Sequence, residues 1–443
     1  MSNCDSRCFD PVAKARKESG YLMSVAFNSD VTLTVEIAFD SDPFATSQTF
    51  TDVSAFVREF SIDRGRQHDL ADYQTGTASV LLDNSDDRFN PLNTSSPYYD
   101  SSAGVSKILP FKQIRIKALY DGTTSVLFRG FVTAYPESFG GQGADSSVRI
   151  RCVDAFKIFN LNTIGGRGWK LGVEGFANLG TSTRLGYSDV QEKSSARIGR
   201  LLDAFGWATA ERTISTGDLD VIAGVPQSTN LLQAFKDVES AEQGQFFISA
   251  DGKATFLDRN FRRSSQATSR ATFGTGVGEL PFSDVITTLD DSRIINIVSV
   301  TRDGGSEQLQ SDSDSVAKFG SRQDSLSGTL NVTDADALSV ATQRLTQFKD
   351  TSSRIEGLIV NPLSDTALWN QALVRELGDK ITIKIPTPAS TTMEFDVHID
   401  RISHTVSAVN QTWTWQIKTS AGSETGSWIL GSSRLGQETI LAW

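Results

Sequence analysis

Between Asp30 and Phe39 the chain alternates strictly. Val31, Leu33, Val35, Ile37 and Phe39 fall on one side, and Thr32, Thr34 and Glu36 on the other. A period of two with one apolar face predicts a half-buried strand. Further strands are predicted at 77–83, 112–120, 125–135 and 147–154, with few helical patterns between them. Residues 25–155 therefore read as a first β-barrel, preceded by an arm at 1–24. Residues 156–193 read as a linker or contact loop, because 162–192 carry seven glycines with Trp169 and Phe176 among them.

The period then switches to that of a helix. In "SSARIGRLLDAFGW", Ile198, Leu201, Leu202 and Phe205 share one face, Ser194 or Ser195 supplies a cap, and Gly206 a stop. A second helix is predicted through "STNLLQAFKDVESAEQG", with Leu231, Phe235 and Val238 inward and Gly244 ending it. "QFFISADGKATFLDR" follows as a hairpin turning at Asp251-Gly252. These elements form a small α/β middle domain, 194–283. A third helix uses Leu338, Ala341, Leu345 and Phe348, and a fourth is expected near "TALWNQALVREL", before strands return until about residue 420.

The returning strands match earlier ones. Ile114 aligns with Ile381, an offset of 267, and the same offset without gaps pairs Ile116 with Ile383, Phe128 with Phe395, Val132 with Ile399, Val148 with Trp415 and Ile150 with Ile417. The expected fold class is mainly β with α+β elements: two related β-barrel domains, 25–155 and 284–420 (the latter with inserted helices), flanking the helix–helix–hairpin domain. An apolar tail, 421–443, ends the sequence. A chain with two similar barrels presents six of them in a trimer, so a three-fold ring can seat on a six-fold partner.

Composition narrows the function. The net charge of −11 argues against a surface that grips phosphate backbones, and suits one that a polyanion slides past. Three cysteines make no disulfide framework: Cys4 and Cys8 lack the further ligands of a zinc site, and Cys152 alternates with Val148 and Ile150 as a small core residue. No run of 18 apolar residues is present and the first twenty residues lack an apolar core, so a membrane anchor or secretory signal is not expected, and synthesis is expected in a cytoplasm.

The acidic stretch "LLDNSDDRFNPLN" invites a metal reading. Asp83, Ser85 and Asp87 have calcium-loop spacing, but Arg88 stands where that loop needs glycine and Thr94 where it needs glutamate. A carboxylate pair for glycoside hydrolysis fits only loosely. The favoured reading is a corner: Ala78, Val80 and Leu82 fill the barrel, the polar run turns, and Phe89 with Pro91 pins it back. His398, flanked by Asp396 and Asp400, reads as part of a solvated strand face rather than a catalytic base, since no nucleophile motif accompanies it. "GGQG" and "GGRG" lack phosphate-loop form and read as turns. No catalytic, cofactor or metal residues are assigned, and no cofactor is expected.

Several stretches together resemble phage minor tail proteins of the tail-hub, or baseplate hub-like, family. "GTASVLLDNSDDRFNPLNTSSPYY" with "LPFKQIRIKALYDGTTSVLFRGFV" is similar to the family's N-terminal barrel. "ARIGRLLDAFGW" with "LLQAFKDVESAEQGQFFISADGKATFLDR" resembles its middle domain, and "ELGDKITIKI" its second barrel. The resemblance spans about residues 30–420. It implies a non-enzymatic homotrimer at the distal end of the virion tail. The implied partners are a distal tail protein or tail tube ring, the tape-measure protein, receptor-binding or fibre proteins, and DNA only in transit. Trp169, Phe176, Trp428, Leu430, Leu435, Leu441 and Trp443 are the expected partner-binding residues. The alternatives are a hexameric distal tail protein, or a tail-associated glycan-binding or cell-wall-degrading protein.

Overall fold

The structure is a computed structural model that describes residues 25–27, 31–140, 145–164, 190–224, 230–261, 268–350, 353–389, 391–421, 426–427 and 439–440. The alternating segments form strands where the pattern places them: β1 (Val31–Ile37), β2 (Val57–Gly65), β3 (Gln74–Asp83), β4 (Gln113–Tyr120), β5 (Thr123–Ala134), the short β6 (Glu137–Ser138) and β7 (Ser147–Val153). They bury Val31, Leu33, Val35 and Ile37 against Val80, Leu82, Ile114, Ile116, Phe128, Val148 and Ile150, each at most 2% exposed. Cys152 lies in the same core.

The middle segment supplies α1 (Ser194–Phe205), α2 (Leu231–Glu242), β8 (Gln245–Ile248) and β9 (Ala254–Leu257). α1 turns Ile198, Leu201, Leu202 and Phe205 inward and stops at Gly206, whose φ of 87° only glycine adopts without strain. Its Ser194 does not cap the helix; that hydroxyl donates to Glu242 instead (2.8 Å). β8 and β9 pair as the expected hairpin, from Gln245 opposite Leu257 to Ile248 opposite Ala254.

Later come β10 (Thr272–Phe273), β11 (Asp284–Thr288), β12 (Ile297–Arg302), β13 (Gln308–Ser311), β14 (Gln323–Thr329), α3 (Asp334–Phe348), β15 (Arg354–Val360), β16 (Lys380–Pro386), β17 (Thr392–Ser407) and β18 (Thr412–Ala421). β13, β12 and β14 form their own sheet, on which α3 packs Ala337, Val340, Ala341, Leu345 and Phe348. Leu338, expected inward, is only half-buried, because the face toward this sheet passes through Ala337 and Val340. The expected fourth helix shrinks to a turn at Thr366–Leu368 and four residues at Trp369–Ala372. Trp369 and Leu373 dock into the core of the first strands.

Ten of these strands make two matching sets. The first, in spatial order, is β4-β5-β7-β3-β2, and the second is β16-β17-β18-β15-β11. Chain order agrees as well: β2, β3, β4, β5, β7 against β11, β15, β16, β17, β18. The 267-residue offset holds at the level of register up to Ile116 and Ile383, beyond which only the first hairpin slips, Lys117 facing Val126 where Lys384 faces Glu394. Ile114 faces Gly130 as Ile381 faces Val397, and Ile116 faces Phe128 as Ile383 faces Phe395. Cys152 faces Val132 as Thr419 faces Ile399, and both ladders then slip by one residue at the same place, Thr133 in one and Asp400 in the other. The entry to each set repeats two hydrogen bonds. Phe111 N–H donates to Val132 O and Val132 N–H to Lys112 O (2.6 and 2.9 Å); Gly378 N–H donates to Ile399 O and Ile399 N–H to Asp379 O (2.7 and 2.9 Å). Phe111 (φ 67°) and Gly378 (φ 87°) are both left-handed. A shared bulge and a shared left-handed residue are not consequences of apolar alternation, so the duplication is structural.

The two sets are parts of one sheet of fifteen strands, joined where β2 pairs with β17. This corrects the expectation of two separately closed barrels: among the described residues, no ring of strand pairs closes within either set. β17 is long enough to pair with β16 through its first half and with β2 through its second, so its edge is shared between the sets.

Candidate functional site

The seam between the sets is where the described structure concentrates its unusual chemistry. β2 and β17 run antiparallel, from Glu59 opposite Ser407 to Gly65 opposite Arg401. Flanking bonds extend the ladder: Ala408 N–H donates to Arg58 O and Arg66 N–H to Asp400 O, both at 2.9 Å. Antiparallel alternation then turns Phe60, Ile62 and Arg64 toward β17 as hydrogen-bonded positions. Gly65 has φ +116°, and a Cβ there would stand 2.1 Å from Asp400 O.

Asp400 is fully buried and accepts two bonds from the buried Arg66, from Nη2 at 2.9 Å and Nε at 3.0 Å. Burial is the largest influence and opposes the Arg66 charge, but Asp400 together with Tyr73 and Asp69 outweighs it and holds the guanidinium pKa above its ordinary value. Arg401 pairs with Asp63 across the seam, and Ser403 Oγ donates to the same carboxylate at 3.0 Å. Arg64 reaches Glu376 at 2.9 Å, and the other oxygen of Glu376 accepts from Ala250 N–H at 2.8 Å, tying the β8–β9 turn to the seam.

His398 and Asp400 are not on a solvated face, contrary to the alternation reading. Both are fully buried, because this part of β17 has strands on both edges and packed elements over both faces. His398 Nδ1 lies 3.2 Å from Gly378 O. His404 accepts a hydrogen bond from Trp413 Nε1 (3.1 Å), and burial with the nearby Arg64 charge pushes its pKa down to about 3, so it is neutral at any ordinary pH. Neither histidine has the exposure of a general base.

The acidic stretch is a corner. Phe89 is fully buried, its N–H held by Asn84 Oδ1 at 2.8 Å. Asp83 accepts from Ser85 N–H (2.9 Å) and lies 3.4 Å from Arg58; Asp86 pairs with Arg88, whose guanidinium covers the Phe56 ring. Among the described residues, no three His, Cys, Asp or Glu side chains are grouped to hold a metal. Trp169, Phe176, Trp428, Leu430, Leu435, Leu441 and Trp443 lie outside the described residues. The seam residues Gly65, Arg66, Asp400 and His404 were missed as a group by the sequence reading; "DRGRQHD" with its central glycine after a strand was the one local signal.

One buried carboxylate beside the seam is perturbed strongly. Asp154 accepts from Gly76 N–H (2.7 Å) and Phe156 N–H (3.0 Å), yet burial dominates and raises its pKa from 3.8 to about 7. Between those values the folded chain holds a proton that the unfolded chain has lost. The contribution of Asp154 to stability therefore falls as pH rises through that window. Asp154→Asn is expected to cost about 1–3 kcal/mol near pH 5 by losing one acceptor. The gap to the parent should narrow from pH 5 to 8 in thermal unfolding; a gap independent of pH would contradict this assignment.

No protein-family model matches the chain, and no curated protein matches it. Solved structures do. The tail protein from Neisseria meningitidis MC58 superposes with a TM-score of 0.53 at 8% identity, covering 89% of this chain and 97% of that one. The 43 kDa tail protein of prophage MuSo2 from Shewanella oneidensis gives 0.50 at 10% identity, covering 88% of this chain and 99% of that one. The fold is that of phage tail proteins. At such identity the likeness is one of fold, and it extends over nearly the whole of both chains.

Proposed function

We propose that this chain is the structural hub of a phage tail tip, three copies of which form a ring that seats on the six-fold tail tube or its distal tail protein. The observation that carries the reading is the duplication: one polypeptide holds two sets of strands matching in order and in much of their register, and three copies hold six. Each set, with its neighbours in the ring, serves as a barrel-like block. The tail-protein fold agrees with this role, and the net charge of −11 suits a channel through which the tape-measure protein and then DNA pass without adhering. Trp169, Phe176 and the tail residues Trp428, Leu430, Leu435, Leu441 and Trp443 are proposed contacts to neighbouring chains, distal tail protein or fibres. The site of action is the distal tail of the virion, after synthesis in the host cytoplasm.

The purified chain of 48.1 kDa is expected to give a particle of three times that mass by native mass spectrometry. Six copies would favour a hexameric distal tail ring instead, and a monomer at micromolar concentration would remove the ring. No observation in the described structure favours a glycan-binding or wall-degrading role over this one.

A further inference from the structure

Each side of the intrachain seam has a counterpart elsewhere in the chain. β2 is the last strand of the first set, and it pairs with the second half of β17 in the second set. By the 267-residue offset, that half of β17 (residues 401–407) corresponds to residues 134–140. The correspondence is kept by hydrogen bonding: Glu137 faces Val148 and Ser138 faces Ser147, just as His404 faces Trp415 and Thr405 faces Thr414. The counterpart of β2 is β11, since Asp284, Val285 and Ile286 face Ile359, Leu358 and Gly357 as Glu59, Phe60 and Ser61 face Leu81, Val80 and Ser79. Each set thus has a docking edge and a docking strand. Only the β2–β17 pair is used within the chain; among the described residues, nothing pairs with the outer edge of 134–140 or of β11.

We propose that β11 of one copy adds antiparallel to the 136–140 edge of the next copy. The intrachain register sets Val285 opposite Phe139, Ile286 opposite Ser138 and Thr287 opposite Glu137. Addition of this kind, repeated three times, closes the ring.

Five observations fit this occupant. Phe60 and Val406, the intrachain counterparts of Val285 and Phe139, are 2% and 1% exposed, whereas Phe139 is 61% exposed: it has the inward position without the strand that would cover it. Val285 N–H, whose counterpart points across the intrachain seam, is held by its neighbour Asp284 Oδ1 at 2.9 Å. Glu137 Oε2 is buried without a hydrogen-bond partner among the described residues, and the Thr287 hydroxyl of the incoming strand would stand opposite it. Pro136 does not block the edge. Arg149 N–H donates to Pro136 O (2.8 Å), so residue 136 faces β7 and its neighbours Tyr135 and Glu137 face outward. β11 itself, "DVITT", carries neither lysine nor proline, the usual guards of an exposed edge. Unlike Gly65, its counterpart Asp290 pairs with Arg354, so the contact ends before that point.

This junction rests on the three-copy ring proposed above, and the test separates the two. Ser138→Cys and Ile286→Cys are combined in a Cys4→Ser, Cys8→Ser background, leaving only the buried Cys152. Directly opposed residues of an antiparallel pair lie within disulfide reach, about 4.5–5.5 Å between Cα atoms. Mild oxidation is expected to give covalent dimers and trimers on a non-reducing denaturing gel, and co-expressed single variants should give covalent dimers, which no intrachain bridge can produce. Phe139→Cys with Val285→Cys serves as a second pair. A particle of trimeric mass in which neither pair cross-links overturns the junction and leaves the ring; a monomeric particle overturns both.

Discussion

Gly65→Ala is expected to lower stability by about 3–5 kcal/mol, adding left-handed strain to overpacking. At φ +116° a side chain is strained whatever the space, and here there is none: the new Cβ would meet Asp400 O at 2.1 Å and Arg401 Cα at 2.7 Å. Both neighbours are backbone, so no side chain can swing away. Relief requires β2 to part from β17 at the point where Arg66 N–H bonds Asp400 O. The effect should be local at first. Hydrogen exchange should show lost protection at Arg66 and at the 402, 404 and 406 amides, while α3 and its sheet keep theirs. Unchanged protection along the seam would mean that the sets are held together elsewhere.

Asp400→Ala should cost about 3–5 kcal/mol for a different reason: it leaves the buried Arg66 guanidinium without its carboxylate. Replacing both partners by apolar residues, as in Arg66→Met with Asp400→Leu, removes the stranded charge along with its partner. That double variant is expected to melt well above Asp400→Ala. If the double variant were no more stable than the single one, the loss would come from packing around Asp400 and not from the uncompensated charge.

Much of this architecture is legible in the sequence, for reasons that also mark where legibility ends. Strands such as Val31–Ile37 announce themselves because one wet face and one dry face impose a period of two. α1 is legible because Gly206 ends it where the apolar face ends. The offset between Ile114 and Ile381 is visible because the same inward positions recur without a gap. The seam leaves no comparable trace. Phe60 and Val406 are ordinary inward residues of two strands far apart in the chain, and nothing local says that they meet. His398 and Asp400 were misplaced on that account: their alternation is that of a half-exposed strand, and the second covered face comes from tertiary packing alone. The continuation of β5 into residues 137–138 is hidden by Tyr135-Pro136, which interrupts the strand without changing its register. The sheet of β12, β13 and β14 reads as part of the second β unit until α3 is seen to give it a core of its own.

The most direct measurement is an electron cryomicroscopy reconstruction of the assembled particle, refined without imposed symmetry. It should show three chains as six alternating, superposable blocks, with β11 of each chain running beside residues 136–140 of the next. A ring of six chains, or three chains whose second strand sets do not share the circle of the first, would contradict it.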